Sequence, residues 1–234
     1  TAYPVRIKSD GGVMRIANFE HRPAWNASLN DNEYRGVIEV RYVPEEKVGE
    51  KAPAKAGLAV INELPLEHYV RGIAEVSNTD PYEKVKAMMV LARTYAYFYM
   101  TQGQKFPGMP YQLDDDPEVS QKYLGYGFEK RAPEIVRAAA DTQGMMVTYE
   151  GNVVKTPYFS STDGTATKSA NEVWGWTDTP YLISVPDPLC ESIAFSGHGV
   201  GLSGCGAAEA ARRGYVFEDI IKYLVEQKEL ILDF

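Results

Sequence analysis

Apolar and polar positions alternate in short runs from Tyr3 to about Ile61, most clearly in Val37-Ile38-Glu39-Val40-Arg41-Tyr42, with Gly, Asn and Asp clusters between them. A period of two bounded by turn residues predicts three or four strands. Pro44 to Gly57, rich in Glu, Lys, Ala and Gly, reads as a mobile polar loop, because strand pattern resumes at Leu58-Ala59-Val60-Ile61. The period then changes. Pro65 suits a first helical turn, and Leu66, Tyr69, Val70 and Ile73 follow at helical spacing. A second helix is predicted from Asp80-Pro81 through Met100, with Val85, Met88, Met89, Ala92, Ala96 and Tyr99 on one stripe.

Gln102 to Phe128 is rich in Gly, Pro, Tyr and Asp and too long for a plain connection, which marks a binding loop and a groove wall. Ala132 to Thr142 reads as a helix stopped by Gly144, and Met145 to Phe159 as a hairpin turning at Glu150-Gly151-Asn152. Two helices close the chain, Gly206 to Arg213 before Gly214, and an amphipathic one from Phe217 to about Glu229.

Composition narrows the function classes. The 234 residues, 44% hydrophobic, suffice for a core of their own, and one domain is expected over 1–234, β-rich in 1–60 and groove-bearing in 61–234. A net charge of −8 offers no cationic surface for nucleic acid, and the most apolar run, Ala87 to Met100, is too short to span a bilayer and contains Arg93. The two cysteines, Cys190 and Cys205, permit one bridge or two free thiols. With His198 they make a poor zinc pattern, lacking a fourth ligand.

Glycan and acyl chemistry both need a proton donor whose pKa burial has raised. Glu75 lies among small and apolar neighbours in Arg71-Gly72-Ile73-Ala74-Glu75-Val76 and is the candidate acid, although a Glu near a helix end is more often solvated. Arg93 interrupts an apolar stripe and needs either a carboxylate such as Glu67 or Glu75, or a ligand. Gly197-His198-Gly199-Val200-Gly201 presents an imidazole on permissive backbone, without the strand or acidic partner of a nucleotide fingerprint. Ser160, Ser161 and Thr162 lack a Gly-x-Ser-x-Gly elbow, so a hydroxyl row bonding sugar fits better than an acyl nucleophile served by His198.

These residues fall in a recognisable order. Leu64-Pro65-Leu66-Glu67-His68-Tyr69-Val70-Arg71-Gly72, Glu75 and Ala92-Arg93-Thr94-Tyr95-Ala96 resemble the opening motif of the stage II sporulation protein D (SpoIID/LytB) family. Gln121-x-Tyr123-x-Gly125, Phe159-x-Ser161-x-x-Gly164, Glu172-Val173-Trp174-Gly175 and Gly197-His198-Gly199-Val200-Gly201-x-Ser203 continue the resemblance. It implies a lytic transglycosylase that cuts peptidoglycan between N-acetylmuramic acid and N-acetylglucosamine and leaves a 1,6-anhydro ring, with Glu75 as the one acid and base. Some members instead modify other wall enzymes.

The chain departs from the family pattern in three places. The step from Gly72 to Glu75 is shorter than in the commonest members. Gly204-Cys205-Gly206-Ala207 replaces Gln-Trp-Gly-Ala, and Asp114-Asp115-Asp116 stands where some members carry zinc ligands, so no zinc of that kind is expected.

The reading that follows is an α+β fold, a mixed β-sheet packed against a central helix, with a groove for a glycan strand. Glu75 is its catalytic residue, and Arg93, Tyr95, Gln121, Tyr158, Ser160, Ser161, Trp174, His198 and Ser203 bind substrate. No metal or cofactor is expected. Expected partners are glycan strands and other cell-wall enzymes, and the expected location is extracytoplasmic. The alternatives are a non-catalytic wall-binding or enzyme-modifying module and, third, a metal- or serine-dependent hydrolase centred on His198.

Overall fold

The structure is a computed structural model that describes residues 3–43, 46–48, 52–54, 57–103, 105–191, 194–224 and 230–233. In chain order the elements are β1 (Val5–Arg15), β2 (Glu33–Val43), β3 (Glu46–Val48), β4 (Ala52–Ala54), β5 (Gly57–Glu63), α1 (Leu66–Arg71), α2 (Tyr82–Thr101), α3 (Gly125–Glu129) and α4 (Pro133–Asp141). There follow β6 (Met146–Tyr149), β7 (Asn152–Val153), β8 (Tyr158–Phe159), α5 (Ala170–Trp174), β9 (Leu202–Ser203), α6 (Gly204–Arg212), α7 (Phe217–Leu224) and β10 (Leu230–Asp233). The fold is α+β, as the sequence pattern implies, but its strands divide into separate small sheets in which, among the described residues, only the strands β8 and β9 run parallel. The chain forms two compact units, one of residues 1–75 and 99–133, the other of 76–98 and 134–234.

In the first unit β1, β2 and β5 form an antiparallel sheet, with Val5 opposite Val40 opposite Val60, and Tyr42 opposite Leu58. Alternation sorts the faces. One side of the sheet carries Val5, Val40, Val60, Tyr42 and Leu58. The other carries Arg6, which donates to Glu39 at 2.6 Å and to Glu63 at 2.8 Å. The β1–β2 register shifts between Lys8 and Val13, where Gly12 adopts a φ of +75°. Two bidentate pairs tie the following segments to this sheet: Arg35 to Glu129 of α3, and Arg131 to the buried Asp31. Within 44–57 the described residues pair as β3 and β4, and Gly57 already opens β5; the rest of that expected mobile loop lies outside the described residues.

The second unit is built on α2, where Val85, Ala87 to Thr94 and Ala96 are all buried. A helix buried on every side needs partners all round. Thr94 Oγ1 accepts from Val147 N of β6 at 3.0 Å, and Thr156 Oγ1 donates to Leu91 O at 2.9 Å. Gly144 stops the chain after α4 with a φ of +77°. The β6–β7 hairpin turns through Glu150 and Gly151, both left-handed, which matches the twist of a two-residue hairpin. It ends at Val153 rather than Phe159. Tyr158 and Phe159 pair instead with Leu202 and Ser203, a non-local partnership that local periodicity does not reveal. Helix α7 is described to Leu224, residues 225–229 of the expected terminal helix lie outside the described residues, and β10 pairs with β6. Cys190 and Cys205 form a disulfide.

Candidate functional site

Glu75 lies in the first unit, past the end of α1. There the chain pairs with a second stretch: Ile73 bridges Tyr123, Ala74 N donates to Lys122 O at 2.8 Å, and Leu124 N donates to Gly72 O at 2.9 Å. Gly72 permits this approach, since a Cβ at that position would stand 2.5 Å from the Tyr123 ring. Lys122 then turns its N–H to Glu75 Oε1 at 2.5 Å.

The carboxyl is partly buried, and that desolvation raises its pKa above the ordinary 4.5. The Lys122 N–H and the nearby Lys122 ammonium act in the opposite sense. Glu75 Oε2 has no hydrogen-bond partner among the described residues. A carboxyl that keeps its proton to higher pH, with one oxygen fixed and the other open, has the form of a general acid.

The residues flanking Lys122 are anchored as well. Tyr69 of α1 stacks on Tyr123 with ring centroids 5.0 Å apart, and its hydroxyl donates to Gln121 Oε1 at 3.0 Å. The Tyr123 hydroxyl donates to Asn62 Oδ1 at 3.0 Å, and Asn62 Nδ2 donates to Arg35 O at 2.7 Å. Where α2 passes into the loop expected to bind, Tyr99, Lys105, Phe106, Met109, Tyr111 and Gln112 are among the residues lining a cavity of about 260 Å³.

The second unit gathers a different set. Three left-handed glycines, Gly197, Gly199 and Gly201, shape the turn that carries His198. Its ring lies 4.8 Å from Trp174 and 5.8 Å from Phe159 between centroids. Trp174 ends α5, whose Ser169 cap accepts from Glu172 N at 3.1 Å, and the left-handed Gly175 turns the chain so that Trp176 comes 4.5 Å from Trp174. Lys155 Nζ sits 4.3 Å over the Trp176 ring. Sequence reasoning missed Trp176 and Lys155; only the second tryptophan beside the Trp174 motif signalled them.

His198 Nδ1 accepts from Val200 N at 3.1 Å, and a further bond runs to the Tyr158 backbone. Burial lowers the ring's pKa, with the Tyr158 bond opposing. An imidazole committed to the backbone at Val200 and Tyr158 has, among the described residues, no hydrogen bond to Ser160 or Ser161 that would make it their base. Ser160 is exposed, while Ser161 Oγ donates to Ala194 O at 3.0 Å. Among the described residues no cluster of three or more His, Cys, Asp or Glu side chains could hold a metal.

Three residues expected at the substrate surface are in the core. Arg93 is 0% exposed and donates to Ala139 O at 2.9 Å, with Met89 O, Met145 O and Thr142 Oγ1 each at 3.4 Å. Gln121, 1% exposed, receives the Tyr69 hydroxyl. Ser203, 0% exposed, caps α6 by accepting from Gly206 N, and also bonds the buried Asp187 carboxyl. Their polar groups satisfy backbone and core partners, a use that residue type alone does not disclose. Tyr95 and Tyr158 are partly buried.

The arrangement defines an α+β protein in which a desolvated carboxyl, Glu75, is held by a backbone amide. Residues 54–149 match the SpoIID family model, described as Stage II sporulation protein. The chain is 35% identical over 168 residues to an uncharacterised protein of Brachyspira hyodysenteriae, covering 70% of this chain and 40% of that one. It is 30% identical over 139 residues to Stage II sporulation protein D of Bacillus subtilis, covering 55% and 40% respectively. A 105-residue stretch is 32% identical to the Amidase enhancer of Bacillus subtilis, covering 45% of this chain and 13% of that protein. The chain thus spans 40% of the length of the first two relatives.

Proposed function

We propose that this chain is a peptidoglycan lytic transglycosylase acting outside the cytoplasm, with Glu75 as general acid and then general base. The observation that carries this reading is the Glu75 carboxyl, withdrawn from water, held at Oε1 by Lys122 N–H and open at Oε2. Protonated Glu75 gives its proton to the glycosidic oxygen as the bond to muramic-acid C1 breaks. The C6 hydroxyl of the same sugar then bonds to C1, and its proton passes to the Glu75 carboxylate. The acid is regenerated and no water is consumed, so a second carboxyl is unnecessary.

Trp174, Trp176 and His198, with the exposed Ser160, supply ring faces and a hydroxyl of the kind that hold sugars. The disulfide supports an oxidising compartment. No described helix is long and apolar enough to cross a membrane.

The similarity to an Amidase enhancer favours a second reading, a module that binds wall glycan or modifies another wall enzyme without cutting. One experiment separates them. Purified glycan strands, with and without stem peptides, are digested and their ends analysed by mass spectrometry. Anhydro-muramic ends are expected with the wild type, with a loss of at least about 10²-fold in Glu75→Gln. Strand binding without new ends would leave the non-catalytic reading standing.

A further inference from the structure

Lys122 is exposed, yet its backbone has two jobs at once: its N–H meets Glu75 Oε1, and its carbonyl accepts from Ala74 N–H at 2.8 Å. The direction of that N–H depends on the residues either side of it. Gln121 is 1% exposed and fastened by the Tyr69 hydroxyl; Tyr123 is 7% exposed and fastened to Asn62. Tyr69 belongs to α1, while Asn62 belongs to β5 and is itself held by the carbonyls of Arg35 and Val37 in β2. A backbone amide cannot choose its direction by rotamer, so it is aimed by whatever holds its neighbours.

We propose that Tyr69 and Asn62 are positioning residues for Glu75, acting through Gln121 and Tyr123 to aim the Lys122 amide at the carboxyl. The inference rests on Glu75 as the reacting acid, but its geometric content does not. The helix supplies one clamp and the sheet the other. The Tyr69–Tyr123 stack keeps both rings in place even when a hydroxyl is removed, so each clamp can be released without emptying the core. The charged group that bears on Glu75 beside this amide is the Lys122 ammonium, on the same residue, so movement of the segment changes both influences in the same sense.

Tyr69→Phe and Tyr123→Phe each delete one hydroxyl. Three quantities are measured in each: the Glu75 carboxyl titration by carbon NMR, kcat and KM on glycan strands, and the thermal midpoint. A loosened amide should let the Glu75 pKa move further up and lower kcat on the order of tenfold with KM unchanged, as expected for misplacement of a reacting group.

An unchanged Glu75 titration in both single variants, whatever happens to the thermal midpoint, overturns the proposal and leaves the two hydroxyls as packing groups. Should the wild type cut no glycan, the titration still decides the positioning, and the loss falls on the transglycosylase reading alone. Tyr69→Phe stands by itself if Tyr123→Phe does not fold.

Discussion

An ionised carboxyl drawn out of water carries a larger stability cost than its amide isostere. Burial raises the Glu75 pKa above the ordinary 4.5, so the folded protein binds that proton more tightly than the unfolded chain does. The corresponding stability is present at low pH and is lost as pH rises through the raised value. Glu75→Gln removes the dependence. Its thermal midpoint should equal or exceed that of the wild type at pH 7, and the advantage should shrink as pH falls toward 4.5. A deficit that grows as pH rises above 4.5 would mean that Lys122 more than offsets the desolvation, and one that is the same at every pH would mean that the two cancel. His198 has the opposite sign: its pKa is lowered from 6.5, so the stability it supports is lost as pH falls below that value. Comparing variant with wild type at each pH cancels this background.

At the scale of elements, α2 carries one charged residue inside its most buried stretch. Arg93 reaches carbonyls of α4, of the turn after it and of its own preceding turn. Arg93→Met keeps much of the volume but strands these acceptors, and should destabilise the fold by about 3 kcal/mol in urea denaturation. A change within about 0.5 kcal/mol, the usual range for surface positions, would show that these contacts hold nothing together. The helix itself was legible because its apolar positions recur at helical spacing and Asp80-Pro81 marks its start. Arg93 was legible only as an anomaly, since a guanidinium looks the same in sequence whether it awaits a ligand or backbone carbonyls. The β8–β9 pair and β10 were not legible, because their partners lie tens of residues away and two to four residues carry no periodicity. Glu75 was singled out by its small and apolar neighbours, but the amide that holds it comes 47 positions later in the chain.

For the whole molecule, the Cys190–Cys205 bridge is the one covalent closure found, as no free cysteine remains. It encloses the turn bearing His198 and is anchored where Cys205 N donates to Ser160 O at 3.0 Å. A loop of this length should contribute about 3 kcal/mol in the chain-entropy model. Reduction should therefore lower the denaturant midpoint, and thiol titration of unfolded, unreduced protein should find no free thiol. An unaltered midpoint after complete reduction would count against any structural role for the bridge.

Each compact unit is assembled from two separated stretches of chain, with residues 76–98 lying between the two parts of the first. During synthesis the ribosome therefore releases Glu75 well before the residues that complete its surroundings. Until Lys122 has emerged the carboxyl has no amide to hold it, and a chain that stalls before that point carries an ordinary solvated glutamate. A carboxyl arranged in this way is not assembled in any product that stops short of Lys122, a safeguard that comes from the order of the chain alone.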